Sequence, residues 1–209
     1  MVISQDPLNL IICGVGGQGN ILISQLIGRA LMKKGYFITR GETYGAAQRS
    51  GSVMSSIRIS SKESYGPLIP AGKAHIILSL EPLETVRILQ KYGNSEVVCI
   101  TNTHPTFPIG AILSEKNRYP NHNELRRTIK SLSKTAWFID AAAIASKVGA
   151  PIVTNIVMVG ALIGTGLLAL EREDIENEMR AIFPPERMAL NLRVLEMGSM
   201  RCVRRDRIL

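Results

Sequence analysis

Asn9-Leu10-Ile11-Ile12-Cys13-Gly14-Val15-Gly16-Gly17-Gln18-Gly19-Asn20 is the stretch on which the reading of this chain turns. Asn9 to Cys13 is a short apolar run of the length of a buried strand, and the glycines after it mark a tight turn. From Asn20 to Lys34 the residues Ile21, Leu22, Leu26 and Leu31 recur at helical spacing, and Gly35 supplies a stop. Tyr36 to Thr39 reads as a second strand. A strand, a glycine turn, a helix and a strand in succession favour a parallel, right-handed crossover. Gly14, Gly16 and Gly19 satisfy G-x-G-x-x-G. Glycines let the backbone approach a phosphate, and the helix N-terminus offers free N–H groups and the positive end of the dipole. The functional reading is an anion site over Gly14, Gly16, Gly17, Gln18, Gly19 and Asn20; the alternative is a tight turn with no ligand.

Working outward, Gly41 to Ser52 is small, polar and glycine-punctuated, which reads as a loop, and Val53 to Ser60 alternates as a strand does. Ala74 to Leu80 and Val97 to Thr101 read as buried strands on either side of a helix running from Pro82 to Tyr92. His104 to Pro120, rich in Pro and Gly, reads as an irregular excursion. Asn123 to Ser133 looks helical, Ala136 to Ile139 is a short strand, and Asp140 can cap a helix from Ala141 to Lys147. Ile156 to Leu170 predicts a helix buried on most sides, its Gly160 and Gly164 forming a G-x-x-x-G pattern suited to a tight contact, with a partner subunit as one candidate cover. Glu171 to Ile182 and Pro185 to Gly198 read as amphipathic helices before a basic tail, Arg201 to Leu209. The expected fold is a three-layer α/β/α Rossmann-like domain with a mainly parallel sheet and C-terminal helices. Residues 1–209 are read as one domain, with 171–209 as a helical arm and basic tail.

Composition narrows the function classes. The 209 residues are 45% apolar and 20% charged, which is ordinary for a globular chain able to bury a core without staples. The formal charge of +8 permits an acidic partner or nucleic acid, but aromatics at 5% and scattered basic residues argue against a nucleic-acid platform. Cys13, Cys99 and Cys202 lie far apart with no C-x-x-C spacing, so an iron–sulfur cluster or zinc ribbon held by this chain alone is not expected. Their odd number and the lack of a secretory pattern suggest the cytoplasm. Val148 to Leu170 carries no charge, yet its polar, Pro- and Gly-containing start leaves an apolar part nearer the length of a buried helix than of a membrane span. His75, His104 and His122 lack ligand-spaced neighbours, so no metal site is expected.

A nicotinamide-dependent oxidoreductase is one alternative for the glycine turn. It wants an acid at the end of the second strand for the ribose hydroxyls, and Glu42 is near that place. The second unusual stretch is Tyr44-Gly45-Ala46-Ala47-Gln48-Arg49-Ser50-Gly51-Ser52. A guanidinium among small residues suits a carboxylate or phosphate, and Gln48 adds a donor and an acceptor.

Taken together, Gly14 to Gly19, Tyr44 to Val53 and Ile57-Arg58 resemble the gamma-type subunits of the 2-oxoacid:ferredoxin oxidoreductases. The resemblance continues through Pro67 to Gly72, Ser79 to Glu84, Asn102-Thr103, Tyr119-Pro120, Ile139 to Ala141 and Asn155 to Leu162. It is nearest to the indolepyruvate branch, beta subunit. Two positions depart from the pattern: Tyr44 stands where that branch usually has His, and Ser50 where the family generally has Gly. Gamma subunits of pyruvate, ketoisovalerate or 2-oxoglutarate oxidoreductases are the alternative.

The resemblance implies a supporting subunit in the oxidative decarboxylation of an aryl 2-oxoacid to its coenzyme A thioester, with ferredoxin reduced. It implies no cofactor held by this chain alone: thiamine diphosphate, magnesium and iron–sulfur clusters would sit on an alpha subunit, and coenzyme A would be co-substrate. The partners implied are that alpha subunit and ferredoxin, with a homodimer of the isolated chain as a further option. Gly16 to Asn20 would meet a coenzyme A phosphate. Tyr44, Gln48, Arg49, Ser50, Gly51 and Asn155 would contact substrate or the facing subunit. No residue of this chain is expected to be catalytic.

Overall fold

In the computed structural model, residues 5–44, 51–106 and 119–202 are described. Their strands are β1 (Leu8–Val15), β2 (Phe37–Tyr44), β3 (Ser52–Ser60), β4 (Ile76–Ser79), β5 (Val98–Asn102) and β6 (Thr135–Ile139). They form one six-stranded sheet in the order β2-β3-β1-β4-β5-β6. β1, β4, β5 and β6 are mutually parallel, whereas β3 runs antiparallel to both β1 and β2. The helices are α1 (Asn20–Lys33), α2 (Pro82–Tyr92), α3 (His122–Ser131), α4 (Ala141–Lys147), α5 (Thr154–Gly164), α6 (Arg172–Ile182) and α7 (Pro185–Ser199), with a 3₁₀ turn at Pro151–Val153.

β1 is buried along its whole length, and its alternation sorts the layers. Leu8, Leu10 and Ile12 face a core shared with Ile23, Leu26 and Ile27 of α1, Ile144 of α4, α5, Ile175 of α6 and Val194 of α7. Ile11 and Cys13 face the other core, with Val86 and Leu89 of α2 and Leu125 and Ile129 of α3. Helices thus cover both faces, the three-layer arrangement expected from the alternating pattern.

Two expectations need correction. The first crossover is split: β1 and β2 are parallel, but the antiparallel β3 is paired between them. The segment from Gly41 to Tyr44, expected as loop, continues β2, with Tyr44 paired opposite Val53. Tertiary bonds override its loop-like composition. Glu42 accepts hydrogen bonds from Ser24 Oγ at 2.9 Å and Ser55 Oγ at 2.5 Å, while Ser56 Oγ donates to the carbonyls of Gly41 and Pro67 at 3.3 and 2.9 Å.

The helix expected over Ile156 to Leu170 ends at Gly164, after a start at Thr154. Its glycines make the tight contact expected of them, and the cover is the chain's own α7. A Cβ on Gly160 would collide with the Leu195 carbonyl oxygen, one on Gly164 with that of Ser199, and one on Gly198 with that of Val157. Among the described residues, no helix is long and apolar enough to cross a membrane.

α6 is fastened to α1 through Glu178, whose side chain is 0% exposed and pairs with Arg29 Nε at 2.7 Å and with Lys33. Burial pushes this carboxyl up, but Lys33 and Arg29 overcome that and hold it below the usual carboxylate range. The stability it contributes is therefore present above about pH 4.5 and lost as pH falls further. Arg29 and Lys33 are themselves half or more exposed, so water screens both pairs and reaches the carboxylate once they are cut back. The R29A/K33A double variant is expected to lose about 1 kcal/mol at pH 7, read from urea unfolding, and less of that difference at pH 4.

Candidate functional site

The C-terminal ends of β1, β4, β5 and β6 gather at one edge of the sheet, where ligands collect in open α/β folds. Glycine is required in the turn that follows β1. Gly17 and Gly19 have φ of 98° and 92°, a left-handed conformation that strains other residues. Gly14 packs so closely under Gln18 and Leu80 that a Cβ there would meet Leu80 Cβ at 3.0 Å.

Gln18 is a brace. Its Oε1 accepts from the Val15 amide at 2.7 Å, and its Nε2 donates to the Leu80 carbonyl at 3.2 Å and to Thr106 Oγ1 at 2.9 Å. It therefore fixes the ends of β1 and β4 to the segment after β5. Asn20, at the first position of α1, donates to the Val53 carbonyl at 3.1 Å. The Gly16 amide donates to the Gly51 carbonyl at 2.8 Å, so the first loop meets the end of the second. Gln48, Arg49 and Ser50 lie outside the described residues, and Tyr44 is placed by its backbone alone.

The start of β3 is tied to α2. Ser52 Oγ donates to buried Glu84 at 2.5 Å. Glu81 caps α2 by accepting from the Glu84 amide at 2.8 Å, and it also accepts from the Tyr119 hydroxyl. Burial pushes the Glu81 carboxyl up, against the hydrogen bond from Tyr119.

Above this edge lies a cleft of about 220 Å³ whose polar lining is Gln18, Asn102, His104, Thr106, Thr154 and Asn155. Two helix N-termini converge on it, α1 through Gly17 and Gln18 and α5 through Thr154 and Asn155. Neither helix has a side-chain cap, and neither carries an acid in its first turn. The positive ends of the two helix dipoles favour negative charge there, and among the described residues no carboxylate lines the cleft to oppose it. Asn155, expected to meet substrate or partner, stands on the first turn of α5, where its Nδ2 presses against Gly19 and its Oδ1 accepts from the Ile156 amide at 2.9 Å. A second hollow of about 230 Å³ lies on the other side of the turn, lined by Gly16, Gly19, Asn20 and Val53.

Sequence reasoning names Asn102 only within the family resemblance and His104 only as an unsupported metal ligand, and it gives Thr106 and Thr154 no role in a site. Asn102 Oδ1 accepts from the Ala141 amide at 3.2 Å and its Nδ2 donates to the Leu80 carbonyl at 3.2 Å, which joins β4, β5 and α4 under the cleft. Asp140 caps α4 through the Ala143 amide at 2.9 Å, as its position suggests. His75, just before β4, is satisfied: its Nδ1 accepts from the Asn9 amide at 2.8 Å, and burial with Lys73 nearby holds its pKa low.

The dinucleotide alternative fails on this geometry. With β3 interposed, the end of β2 is about 10 Å from β1, and the Glu42 carboxylate is already bonded to Ser24 and Ser55. The residues do not fit a cluster either. Cys13 and Cys99 are buried in one core and Cys202 in the other, and burial pushes the Cys99 and Cys202 thiols up to about 12. Among the described residues, no group of His, Cys, Asp and Glu could hold a metal ion.

Residues 9–200 match the family described as pyruvate ferredoxin/flavodoxin oxidoreductase. The chain is 38% identical over 191 residues to the indolepyruvate oxidoreductase subunit IorB of Methanothermobacter thermautotrophicus, covering 91% of this chain and 95% of that one. It shares its fold with the pyruvate oxidoreductase subunit PORC of Thermotoga maritima, with a TM-score of 0.70, 18% identity and coverage of 94% of this chain and 97% of that one. It also superposes on a 2-oxoglutarate:ferredoxin oxidoreductase chain of Magnetococcus marinus, solved with 2-oxoglutarate, coenzyme A and succinyl-CoA bound. There the TM-score is 0.73 at 16% identity, over 95% of this chain and 31% of that longer one.

Proposed function

The chain belongs to the pyruvate ferredoxin/flavodoxin oxidoreductase family, and we propose that it works there as the gamma-type subunit of an indolepyruvate:ferredoxin oxidoreductase of the cytoplasm. The observation that carries the assignment is the 38% identity to an IorB subunit across nearly the whole of both chains. The reaction is oxidative decarboxylation of an aryl 2-oxoacid, with the acyl group passed to coenzyme A and the electrons to ferredoxin. Thiamine diphosphate with magnesium and iron–sulfur clusters, bound on an alpha subunit, supply the decarboxylation and the electron path. This chain's buried, protonated thiols suit a different share of the work.

That share is to hold a phosphate-bearing co-substrate and to complete the neighbouring subunit. The cleft between the α1 and α5 N-termini suits a phosphate group of coenzyme A: both helix dipoles present their positive ends there, neither helix carries an acid in its first turn, and Asn155 lines it. Gly17 and Gly19 shape the turn, and Gly51 is tied to Gly16 beside it. Tyr44, Gln48, Arg49, Ser50 and Gly51 are assigned to the facing subunit or the substrate. Nucleic acid and membrane play no part in this account.

Affinity purification of the tagged chain, co-expressed with a long thiamine diphosphate protein carrying ferredoxin-type cysteines from the same genome, tests the assignment. A stoichiometric complex is expected. Recovery of the chain free of that protein, with both soluble and intact, would refute it.

A further inference from the structure

Glu84 lies fully buried in the first turn of α2, and both of its carboxylate oxygens are engaged. Oε1 accepts from Arg87 of the same helix at 2.5 Å, and Oε2 accepts from the hydroxyl of Ser52, the first residue of β3, at 2.5 Å. The helix dipole favours a carboxylate in a first turn, but an exposed one gains that benefit without the cost of leaving water. Burial beneath Ser52 therefore calls for a reason beyond α2 itself.

The neighbours of Ser52 supply the reason. The Gly51 carbonyl accepts from the Gly16 amide at 2.8 Å, and the Val53 carbonyl accepts from Asn20 Nδ2 at 3.1 Å. Both ends of the glycine turn thus hang from the residues on either side of Ser52. Ser52 is exposed and stands at the very start of its strand, where a ladder frays most easily. Its bond to an ionised, buried acceptor is of the strong kind and ties that end to α2. α2 in turn is packed against β1, with Val86 and Leu89 in one core with Ile11 and Cys13. We propose that Glu84 is a positioning residue: through Ser52 it fixes the Gly51 and Val53 carbonyls, and through them the place of Gly16 and Asn20. Its consequence for catalysis rests on the phosphate of coenzyme A being held at this turn, as proposed above.

Three variants test this. E84L keeps the bulk and removes both acceptors, while E84Q still hydrogen-bonds Ser52 and Arg87. S52A removes the donor at an exposed position, so the test stands even if E84L does not fold. In the full chain, hydrogen exchange of the Gly16 amide is expected to quicken about tenfold in E84L and S52A and to stay near the parent rate in E84Q. In the assembled enzyme, KM for coenzyme A is expected to rise about fivefold in E84L and S52A. There kcat and the KM for the 2-oxoacid stay unchanged, and E84Q restores the parent value. Loss of packing alone would move all three constants and would not be rescued by glutamine. Unchanged Gly16 exchange in both E84L and S52A overturns the proposal, and so does an E84Q that behaves like E84L. An unmoved coenzyme A KM in S52A, beside a raised one in N155D, also overturns it. An unmoved KM in both, with Gly16 exchange quickened, supports the tie and refutes the placement of the phosphate instead.

Discussion

Gly160→Ala is expected to lower the melting temperature by roughly 10 °C, corresponding to about 3 kcal/mol for a chain of this length. The direction is opposite to the rule for helices, where an interior Gly→Ala change gains about 1 kcal/mol from backbone entropy. Packing decides the sign. The new methyl would collide with the Leu195 carbonyl oxygen, which is backbone inside a helix and cannot rotate away. α5 and α7 would have to separate, and with them the buried side chains Val157, Ala161, Val194 and Leu195. Gly198→Ala meets the Val157 carbonyl from the other side and is expected to cost a similar amount. The two are not expected to add, because the first separation already makes room for the second. Gly66, exposed and with open space at its Cβ position, is the control, and its replacement by Ala is expected to change stability by less than about 0.5 kcal/mol. Thermal unfolding of the three single variants and the double variant checks this. A neutral G160A would mean that the two helices are not in backbone contact.

Asn155→Asp separates stability from binding. A carboxylate in the first turn of α5 is favoured by the helix dipole and is expected to gain roughly 0.5 kcal/mol of stability. The same charge stands in the cleft where α1 and α5 converge, facing the position assigned to a phosphate. Like charges a few ångström apart in a partly desolvated cleft repel by more than about 1.4 kcal/mol, which is tenfold in affinity. In the assembled enzyme, KM for coenzyme A is expected to rise at least about tenfold, with the KM for the 2-oxoacid unchanged. A simple packing defect would lower the melting temperature and move both constants. An unchanged KM for coenzyme A would place the phosphate elsewhere.

The parts of the fold legible in the sequence are those fixed by local pattern. The apolar run before Gly14 is β1, and the helical spacing after Gly19 is α1, ending at Lys33 just before Gly35. Asp140 announced a helix start because an aspartate before a run of alanines has an N-terminal amide to accept. The parts missed are those set by distant partners. Gly41 to Tyr44 looks like loop until β3 pairs with it and Ser24 and Ser55 bind Glu42. Gly160 and Gly164 announced a close contact but could not say with what, since the answer lies in α7.

The site divides in the same way. The glycine turn was visible because it is contiguous in sequence. The cleft was not, because Asn102, His104, Thr106 and Thr154 converge on Gln18 only once β1, β4, β5 and α5 are assembled.

On the proposed assignment, this chain completes an enzyme whose reactive groups sit on another polypeptide. Indolepyruvate-dependent reduction of methyl viologen, in the presence of coenzyme A, tests it most directly. The rate should be near zero for this chain alone, and it should rise with added chain to a plateau at equimolar ratio when titrated into the thiamine diphosphate protein. Turnover by the purified chain alone, or a full rate from the thiamine diphosphate protein without it, would contradict the account.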